Sequence, residues 1–483
     1  MIAVSVTELG HYFLPLLLAV ALLRRQWLLP AAFAAAILQS PATLVVTVNT
    51  GKYGVTPFNV VALFIALHLT WRVLQRRHVD FGAGTVRCTL AVWALFTGVS
   101  VVGAIVLPRL FAGMPVYLLA DPIGFDAAMT PLRPSVVNWV QAVNSLTMLM
   151  LFVYALQLPD RARLLQRCLC GLGLALVASV LVGVYQRLGW MGIVAHPHEF
   201  WASNPSYVQM WSTPFGAFER VSFPFVEPSF ASAWFAAMAG GMMTWYFFGK
   251  RWWWLGGLGA IICVLALLNT LGFTGMLALA AFVLCLSIWV LFIALRSAAL
   301  RRALLVRLTI AVAVIVVAII TTISWLQHSP HRTNVATAGA MLNNKLAEIA
   351  DSGVRARSNQ QALVIARDSY GLGVGSGSNR ASNYFLSLLT NTGLVGLAAF
   401  LIAVAMSWVS CARSRNVSVD GKAFVLGATV CMLVAVAGGI PDQNWPPLWI
   451  LLLTVFCACA QTHAVPGNQQ TQPPPALQPP AAH

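Results

Sequence analysis

Charged residues are scarce in this chain. They make up 9% of its 483 residues, whereas 59% are hydrophobic and the mean hydropathy is +0.79. A soluble globular domain carries about 25% charged residues, so this composition excludes an ordinary soluble protein. Repeated uncharged runs near 20 residues are typical of membrane-spanning helices. The sequence therefore predicts an all-α polytopic membrane protein.

Acidic residues are scarcer than basic ones, with 13 against 29 and a formal net charge of +16. In a soluble chain this charge would suggest a nucleic-acid partner, but here it must first be divided between the two sides of the membrane. When the predicted spans alternate, one side holds only three acidic residues and 18 of the 29 basic ones: Arg24, Arg25, Arg72, Arg76, Arg77, Arg87, Arg161, Arg163, Arg167, Lys250, Arg251, Arg296, Arg301, Arg302, Arg307, Arg413, Arg415 and Lys422. Such an excess marks the cytoplasmic side. The charge thus indicates orientation, and no nucleic-acid partner is expected.

The apolar runs predict about 12–13 transmembrane helices. They are expected near residues 9–23, 27–48, 57–73, 88–107, 136–158, 168–187, 228–248, 253–270, 273–295, 308–326, 384–409, 423–440 and 446–461. No basic leader precedes the first run, so no cleavable signal peptide is expected. We expect residues 1–464 to form the bundle. The Pro/Gln/Ala-rich residues 465–483 lack the apolar content to fold and are expected to be a disordered cytoplasmic tail.

Cysteine is absent from the loops predicted on the outer side, and Asp-x-Asp pairs are absent throughout. The nine cysteines fall in spans or at their cytoplasmic ends, so no disulfide is expected. The pairs His196-x-His198 and His328-x-x-His331 could bind a metal, but loop histidines near lipid headgroups are more often interfacial. Soluble nucleotide-sugar transferases commonly hold a divalent ion on Asp-x-Asp. A transferase with this sequence is therefore expected to need no metal and no other cofactor.

Three outer loops are long: residues 108–135, 188–227 and 327–383. Long loops often carry binding sites and catalytic groups. The third loop is predicted to be partly helical and to form an outer subdomain. One helix would place Leu342, Leu346 and Ile349 on one face, and a second, from about Arg355 to Ser369, would turn Ala362, Ile365 and Ala366 inward.

The third loop also carries a set of basic residues: Arg332, Lys345, Arg355, Arg357, Arg367 and Arg380. Lys and Arg are normally infrequent on the outer side, so a cluster there favours an anionic, lipid-linked substrate such as a diphosphate. For each arginine the alternative is an ion pair with a nearby carboxylate, or a contact with lipid phosphate.

Two further segments are candidates for substrate contact. The glycine-rich residues 371–377 lack a Walker lysine and a preceding strand, which argues against nucleotide binding. Gly373 and Gly375 could bring backbone N–H groups close to a phosphate, or could simply allow a tight turn. Glu227 precedes Pro228 at the start of a span, where it could be a helix cap or a partly desolvated general base.

Six elements follow one another along the chain: Arg220 with Glu227-Pro228-Ser229, a short turn at residues 269–275, the arginine-bearing loop, Gly371-x-Gly-x-Gly, Ser382-Asn383-Tyr384-Phe-Leu, and Thr392-Gly-Leu-Val-Gly396. Their order resembles the Wzy-type polysaccharide polymerase and O-antigen ligase superfamily over roughly residues 200–405. The resemblance implies a GT-C-like helical fold in the bacterial inner membrane. It also implies transfer of glycans from undecaprenyl diphosphate to a hydroxyl at the periplasmic face.

In such a transfer, negative charge grows on the departing diphosphate, and guanidinium groups can stabilise it without a metal. We therefore expect Arg220, Arg355 and Arg357 to bind the diphosphate and Glu227 to bind the acceptor hydroxyl. The remaining predicted substrate-binding residues are Arg367, Arg380, Asn383, Gly373, Gly375 and Tyr384.

The acceptor distinguishes the branches of the superfamily. The ligases typically have a His-Asn pair where this chain has Ser382-Asn383, whereas Glu227-Pro228-Ser229 resembles the polymerases. Polymerisation of repeat units is therefore favoured over an O-antigen ligase or a protein O-oligosaccharyltransferase. A glycolipid transporter is a further alternative, disfavoured because no inverted repeat is evident. The expected partners are the lipid-linked donor, the glycan acceptor and membrane lipids, with a chain-length regulator or flippase as further candidates.

Overall fold

The computed structural model describes residues 2–48, 51–75, 79–82, 84–117, 129–158, 163–195, 198–206, 214–215, 218–297, 301–311, 353–414, 416–440 and 442–461. Within these ranges the protein is a helical, multi-pass membrane protein. Eight of the described helices are long and apolar enough to cross a membrane: α3 (Pro57–Leu74), α4 (Gly84–Leu110), α5 (Val136–Gln157), α6 (Leu164–Trp190), α9 (Trp253–Thr270), α10 (Phe273–Arg296), α12 (Tyr384–Arg413) and α13 (Val419–Ala437). The predicted polytopic helical class is confirmed.

Shorter or less apolar helices complete the described bundle. These are α1 (Glu8–Leu23), α2 (Leu28–Ala36), α7 (His198–Trp201), α8 (Pro228–Phe248), α11 (Val354–Asp368) and α14 (Pro446–Gln461), with a helical stretch at residues 301–311. The predicted span at 308–326, the helix with Leu342, the basic residues Arg332 and Lys345, and the tail lie wholly or mostly outside the described residues.

The predicted span at 27–48 is wrong. Helix α2 ends at Ala36, and the chain then forms strand β2 (Leu44–Val48), which pairs antiparallel with β1 (Ile2–Val6) and β3 (Gly51–Val55). Pro41 lacks the N–H that would continue a helix, and the following Val45, Val46 and Thr47 are β-branched. Two-residue strand pairs also occur in the long loops, β4 (Pro115–Val116) with β5 (Thr130–Pro131) and β6 (Pro214–Phe215) with β7 (Phe218–Glu219).

Helix α8 occupies the centre of the bundle, between α9, α10 and α13. Its Trp234 and Phe235 are fully buried. Small residues let α13 approach closely, since a Cβ on Gly240 would stand 2.7 Å from Cys431 Cβ. Small residues at helix contacts are typical of membrane proteins, where backbone proximity provides the packing energy. Helix α8 is therefore a fixed central support for the loop that precedes it.

A buried aromatic cluster joins α4, α5, α12 and α14. The ring centroids of Trp93 and Trp449 are 5.2 Å apart, those of Trp93 and Phe400 are 5.7 Å apart, and those of Phe152 and Phe456 are 5.0 Å apart. Tilted and edge-on aromatic contacts of this kind each contribute about 0.5–1.5 kcal/mol beyond their buried area. The cluster fixes the positions from which α12 and α14 present their first residues.

The two ends of the bundle differ in their charged groups. At one end the backbone N–H of Lys250 donates to Asp420 Oδ1 at 2.6 Å, and that of Arg251 donates to Oδ2 at 3.2 Å. These residues belong to the set predicted to be cytoplasmic. At the other end, the starts of α8, α10, α12 and α14 meet the loops that the sequence predicts on the outer side.

Helix α11 confirms the second helix predicted in the third long loop. Ala362 and Ile365 are fully buried, as the apolar periodicity indicates. Its first turn is tied to the segment before α12, because Ser358 Oγ and Ser382 Oγ are 3.0 Å apart and the Asn383 N–H donates to Asn359 Oδ1 at 3.0 Å. The helix thus lies across the end of the bundle in a fixed position.

Candidate active site

Arg220 belongs to the loop before α8 and packs against the turn between α9 and α10. The N–H of Val221 donates to the carbonyl of Asn269 at 3.1 Å, and Arg220 Nε donates to the carbonyl of Thr270 at 3.1 Å. One edge of the guanidinium is used in this bond. A guanidinium carries five N–H donors, so this bond uses only one of them.

Glu227 takes the N-cap position of α8 with an extended backbone, but its side chain makes no capping hydrogen bond. The carboxylate instead accepts a hydrogen bond from Ser229 Oγ, with 2.5 Å between the oxygens. Pro228, which follows, has no N–H to be capped. The carboxyl group is partly buried and is held by its neighbour rather than by the helix. Of the two interpretations of Glu227, this geometry favours a group that is available for chemistry.

Arg355 reaches the same region from the first turn of α11. A Cβ built on Gly439 would stand 3.4 Å from Arg355 Nη1 and 3.3 Å from Thr274 Oγ1. The guanidinium therefore lies where the end of α13 meets the start of α10. Gly439 has a φ of +157°, and the absence of a side chain there leaves room for Arg355.

Arg380 completes a cluster of three guanidinium groups. It ends the glycine-rich loop, and its N–H donates to the carbonyl of Tyr117 at 2.8 Å. Burial lowers the pKa of Arg380, the charges of Glu227 and Asp442 raise it, and the charge of Arg355 lowers it. Burial also lowers the pKa of Arg220, with Glu227 raising it and Arg355 lowering it.

We call Arg220, Arg355 and Arg380 the arginine cluster. Arginine side chains are positively charged in proteins. Arg367 forms an ion pair with Asp368, whereas no member of the cluster makes one within 4.0 Å among the described residues. The charge of Arg355 repels those of Arg220 and Arg380, whereas Glu227 attracts both and Asp442 attracts Arg380. An anion between the three guanidinium groups would add a further counter-charge.

Sequence reasoning missed Asp442, which lies in the short turn between α13 and α14. Its carboxylate accepts hydrogen bonds from the Asn444 N–H at 3.0 Å and from the Gln141 side chain, and it acts on Arg380 through its charge. Burial raises the pKa of Asp442, while Asn444, Gln141 and Arg380 lower it. The sequence signal that could have identified Asp442 is an acidic residue in a short loop between two apolar runs.

The structure does not bring Arg357 and Arg367 into the arginine cluster. Arg357 is exposed on α11, where residues two positions apart face in different directions, so it does not follow Arg355. Arg367 lies at the opposite end of α11 with 77% of its side chain exposed, and its Nε donates to Asp368 Oδ1 at 2.8 Å. That bond raises the pKa of Arg367. For Arg367 the structure thus shows the alternative to substrate binding, an ion pair with a nearby carboxylate.

Asn383 and Tyr384 have structural contacts in this conformation. Asn383 caps α12, since its Oδ1 accepts from the N–H groups of Phe385 and Leu386, and its Nδ2 donates to the carbonyl of Ala437 at 2.8 Å. Tyr384 is fully buried and its hydroxyl donates to the carbonyl of Gln443 at 3.0 Å. Through these bonds both residues fix the start of α12 against the turn between α13 and α14.

The glycine-rich loop is packed inside the protein. Residues 373–379 are all buried, and a Cβ on Gly373 would stand 2.7 Å from the Gly393 nitrogen. The Gly373 N–H donates to Ser369 Oγ at 3.1 Å. Gly375 has a φ of +98°, and its Cβ would stand 2.7 Å from the carbonyl oxygen of Gly103. These positions account for the glycines by close packing; contact with a phosphate there remains a prediction.

Buried amides hold this loop beneath Arg380. Asn391 Oδ1 accepts from the N–H groups of Ser378 and Asn379, at 3.1 Å each. From the other side, Asn138 Nδ2 donates to the carbonyl of Ser376 at 2.8 Å. Buried polar groups that are fully paired rigidify a core. The polar residues inside the predicted spans thus position Arg380.

The described part of the chain contains no group of three His, Cys, Asp or Glu side chains that could hold a metal ion. No family model matches the chain, and neither does any curated protein.

Proposed function

We propose that this protein is a membrane glycosyltransferase that polymerises oligosaccharide repeat units carried on undecaprenyl diphosphate. The observation that carries the proposal is the arginine cluster. Three guanidinium groups from separate segments, together with Glu227, lie at one end of a membrane-spanning bundle without a close ion pair among the described residues. A diphosphate at the membrane surface is an anion of matching charge and position.

The proposed reaction joins an acceptor hydroxyl to the anomeric carbon of the donor glycan. Glu227 accepts the hydroxyl proton as the new carbon–oxygen bond forms. The bond between the anomeric carbon and the diphosphate oxygen breaks, and its electron pair leaves on the diphosphate. Arg220, Arg355 and Arg380 stabilise the charge that develops there, which is the term that most often dominates enzymatic rate enhancement. The guanidinium groups make this mechanism independent of a metal ion.

Ser382 supports polymerisation over ligation. Its hydroxyl is hydrogen-bonded to Ser358, so the position where a ligase has histidine provides no basic group. The proposal includes a GT-C-like arrangement, a bacterial inner-membrane location and an active site that faces the periplasm. The donor and acceptor are then both lipid-linked glycans, with a chain-length regulator or flippase as candidate partners.

The experiment is to purify the protein and supply undecaprenyl-diphosphate oligosaccharide as the only substrate. A ladder of products that differ by one repeat unit is expected. Transfer that occurs only when lipid A core or a protein acceptor is added would replace polymerisation by ligation. Absence of transfer to any of these acceptors, by protein that remains monodisperse, would refute the proposed activity.

A further inference from the structure

A polar cavity lies at the end of the bundle opposite the arginine cluster. Its volume is about 310 Å³, and it is lined by Arg25, His68, Trp71, Arg72 and Gln75. Ligand pockets in proteins typically start at about 300 Å³. This cavity contributes nothing to the proposed transfer, which takes place at the other end of the bundle.

Helix periodicity creates one wall of the cavity. His68, Trp71, Arg72 and Gln75 are spaced i, i+3, i+4 and i+7, so they share one face of the last two turns of α3. Arg25 comes from the short 3-10 turn Arg25–Trp27 between α1 and α2. Four lining residues therefore follow from one helix face, and the fifth comes from a distant segment.

Helix α5 fixes both walls. The Tyr154 hydroxyl donates to the backbone carbonyl of Arg25 at 2.6 Å, and Arg72 Nη1 is 3.5 Å from the carbonyl oxygen of Gln157. The His68 ring stands edge-on to Tyr154, with 5.8 Å between the ring centroids. The cavity is thus held open by contacts that do not use the guanidinium group of Arg25.

The lining chemistry selects an anion. Two guanidinium groups, an imidazole and an amide face one space and provide many N–H donors, and arginine matches the geometry of phosphate oxygens. The last carbonyl groups of α3 carry a partial negative charge that opposes an anion. Arg25 and Arg72 each carry a full positive charge, which is larger than that partial charge.

The surroundings select a lipid. Leu22, Leu23, Trp71 and Leu74 are each more than half exposed beside the cavity, at the ends of α1 and α3. Such apolar side chains suit acyl chains, and tryptophan is enriched at the membrane interface. Basic pockets between helices on the cytoplasmic side bind anionic lipid headgroups in other membrane proteins.

We propose that this cavity binds the phosphate headgroup of an anionic phospholipid, at the end of the bundle predicted to face the cytoplasm. The phosphate lies between Arg25 and Arg72, and the acyl chains run along Leu22, Leu23 and Leu74. The proposal is independent of the glycosyltransferase activity.

Arg25→Gln is the variant that tests the site. The Arg25 side chain is exposed, and the bond from Tyr154 uses its backbone carbonyl, so the substitution removes the charge and leaves that bond in place. Arg413→Gln is the matched control, because it removes the same charge from an exposed position at the same end of the bundle, outside the cavity.

The measurement is a titration of purified protein in detergent with phosphatidylglycerol, phosphatidylcholine or inorganic phosphate, followed by native mass spectrometry. The wild type should bind phosphatidylglycerol at least about tenfold more tightly than phosphatidylcholine. Arg25→Gln should lose about tenfold in that affinity, equivalent to about 1.4 kcal/mol, and Arg413→Gln should retain it.

Three results would overturn the assignment. Equal losses in Arg25→Gln and Arg413→Gln would indicate diffuse attraction to a basic surface. Equal binding of phosphatidylglycerol and phosphatidylcholine would exclude selection of an anion. Inorganic phosphate that binds as tightly as phosphatidylglycerol would make the ligand a soluble phosphate. Unchanged unfolding temperatures in both variants keep these results interpretable.

Discussion

Replacing Arg355 with Ala tests the arginine cluster, and Arg357 provides the matched control. Both residues are exposed arginines in the first turn of α11, two positions apart. Arg355 alone of the two approaches Gly439 and acts on Arg220 and Arg380. The sequence predicts that either substitution abolishes transfer, whereas the structure predicts that only Arg355→Ala does so.

The magnitude follows from the interaction that is lost. A hydrogen bond to a charged group contributes about 1.5–3 kcal/mol, and each 1.36 kcal/mol corresponds to a factor of ten in rate. Loss of one such bond to the diphosphate should lower kcat/KM by about 10- to 150-fold. Because Arg355 repels Arg220 and Arg380 in the empty site, its removal should not lower the unfolding temperature. Arg355→Lys should recover only part of the activity, since the planar fork is absent.

The assay is the rate at which the purified variants extend undecaprenyl-diphosphate oligosaccharide. Arg357→Ala should change kcat/KM by less than about threefold, an energy near 0.6 kcal/mol. Equal losses in the two alanine variants would refute the distinction between the faces of α11. Wild-type activity in Arg355→Ala would remove that residue from the site.

Three further predictions follow. Gly375→Ala should destabilise the protein by about 1–3 kcal/mol and lower its unfolding temperature, because the new Cβ would stand 2.7 Å from the Gly103 carbonyl oxygen. The control Gly98→Ala should not lower it, because the Cβ there meets nothing within 4 Å. Equal effects of the two substitutions would contradict the packing argument. Burial raises the pKa of Asp442 in the folded protein above its value in the unfolded chain, so between these two values the folded protein binds a proton that the unfolded chain has lost. The stabilisation that this proton provides should therefore be lost as pH rises through the folded-state pKa. The unfolding temperature of the wild type should fall as pH rises, and that of Asp442→Asn should fall less. Identical profiles of unfolding temperature against pH in the two proteins would exclude the effect. Transfer should persist in EDTA, and a strict requirement for a divalent ion would contradict the guanidinium-based mechanism.

Local pattern was sufficient for most helices. The apolar spacing in α11 identified Ala362 and Ile365 as buried, and uninterrupted apolar runs identified the eight long helices. The prediction of a span at 27–48 was wrong because a short apolar, β-branched segment is compatible with either a strand or a helix until its pairing partners are known. Those partners, β1 and β3, are separate segments, and one of them lies about 40 residues away in sequence.

The candidate site was only partly predictable. Charge in the third long loop identified Arg355 and Arg380, and the element that opens α8 identified Arg220 and Glu227; the structure brings these four residues together. Composition could not separate Arg355 from Arg357, since the distinction depends on which face of α11 meets the bundle. Asp442 was not predicted, because its relation to Arg380 arises from contacts between distant parts of the chain.

The arginines of the cluster, at positions 220, 355 and 380, leave the ribosome before Asp442 does. A chain whose synthesis stops at the end of helix α13 already contains every arginine of the cluster. It lacks the anchored turn that places Asp442 beside Arg380, and it lacks the carbonyl of Gln443 that holds Tyr384. Incomplete products should therefore lack the arrangement of Arg380 and Tyr384 that the full chain has.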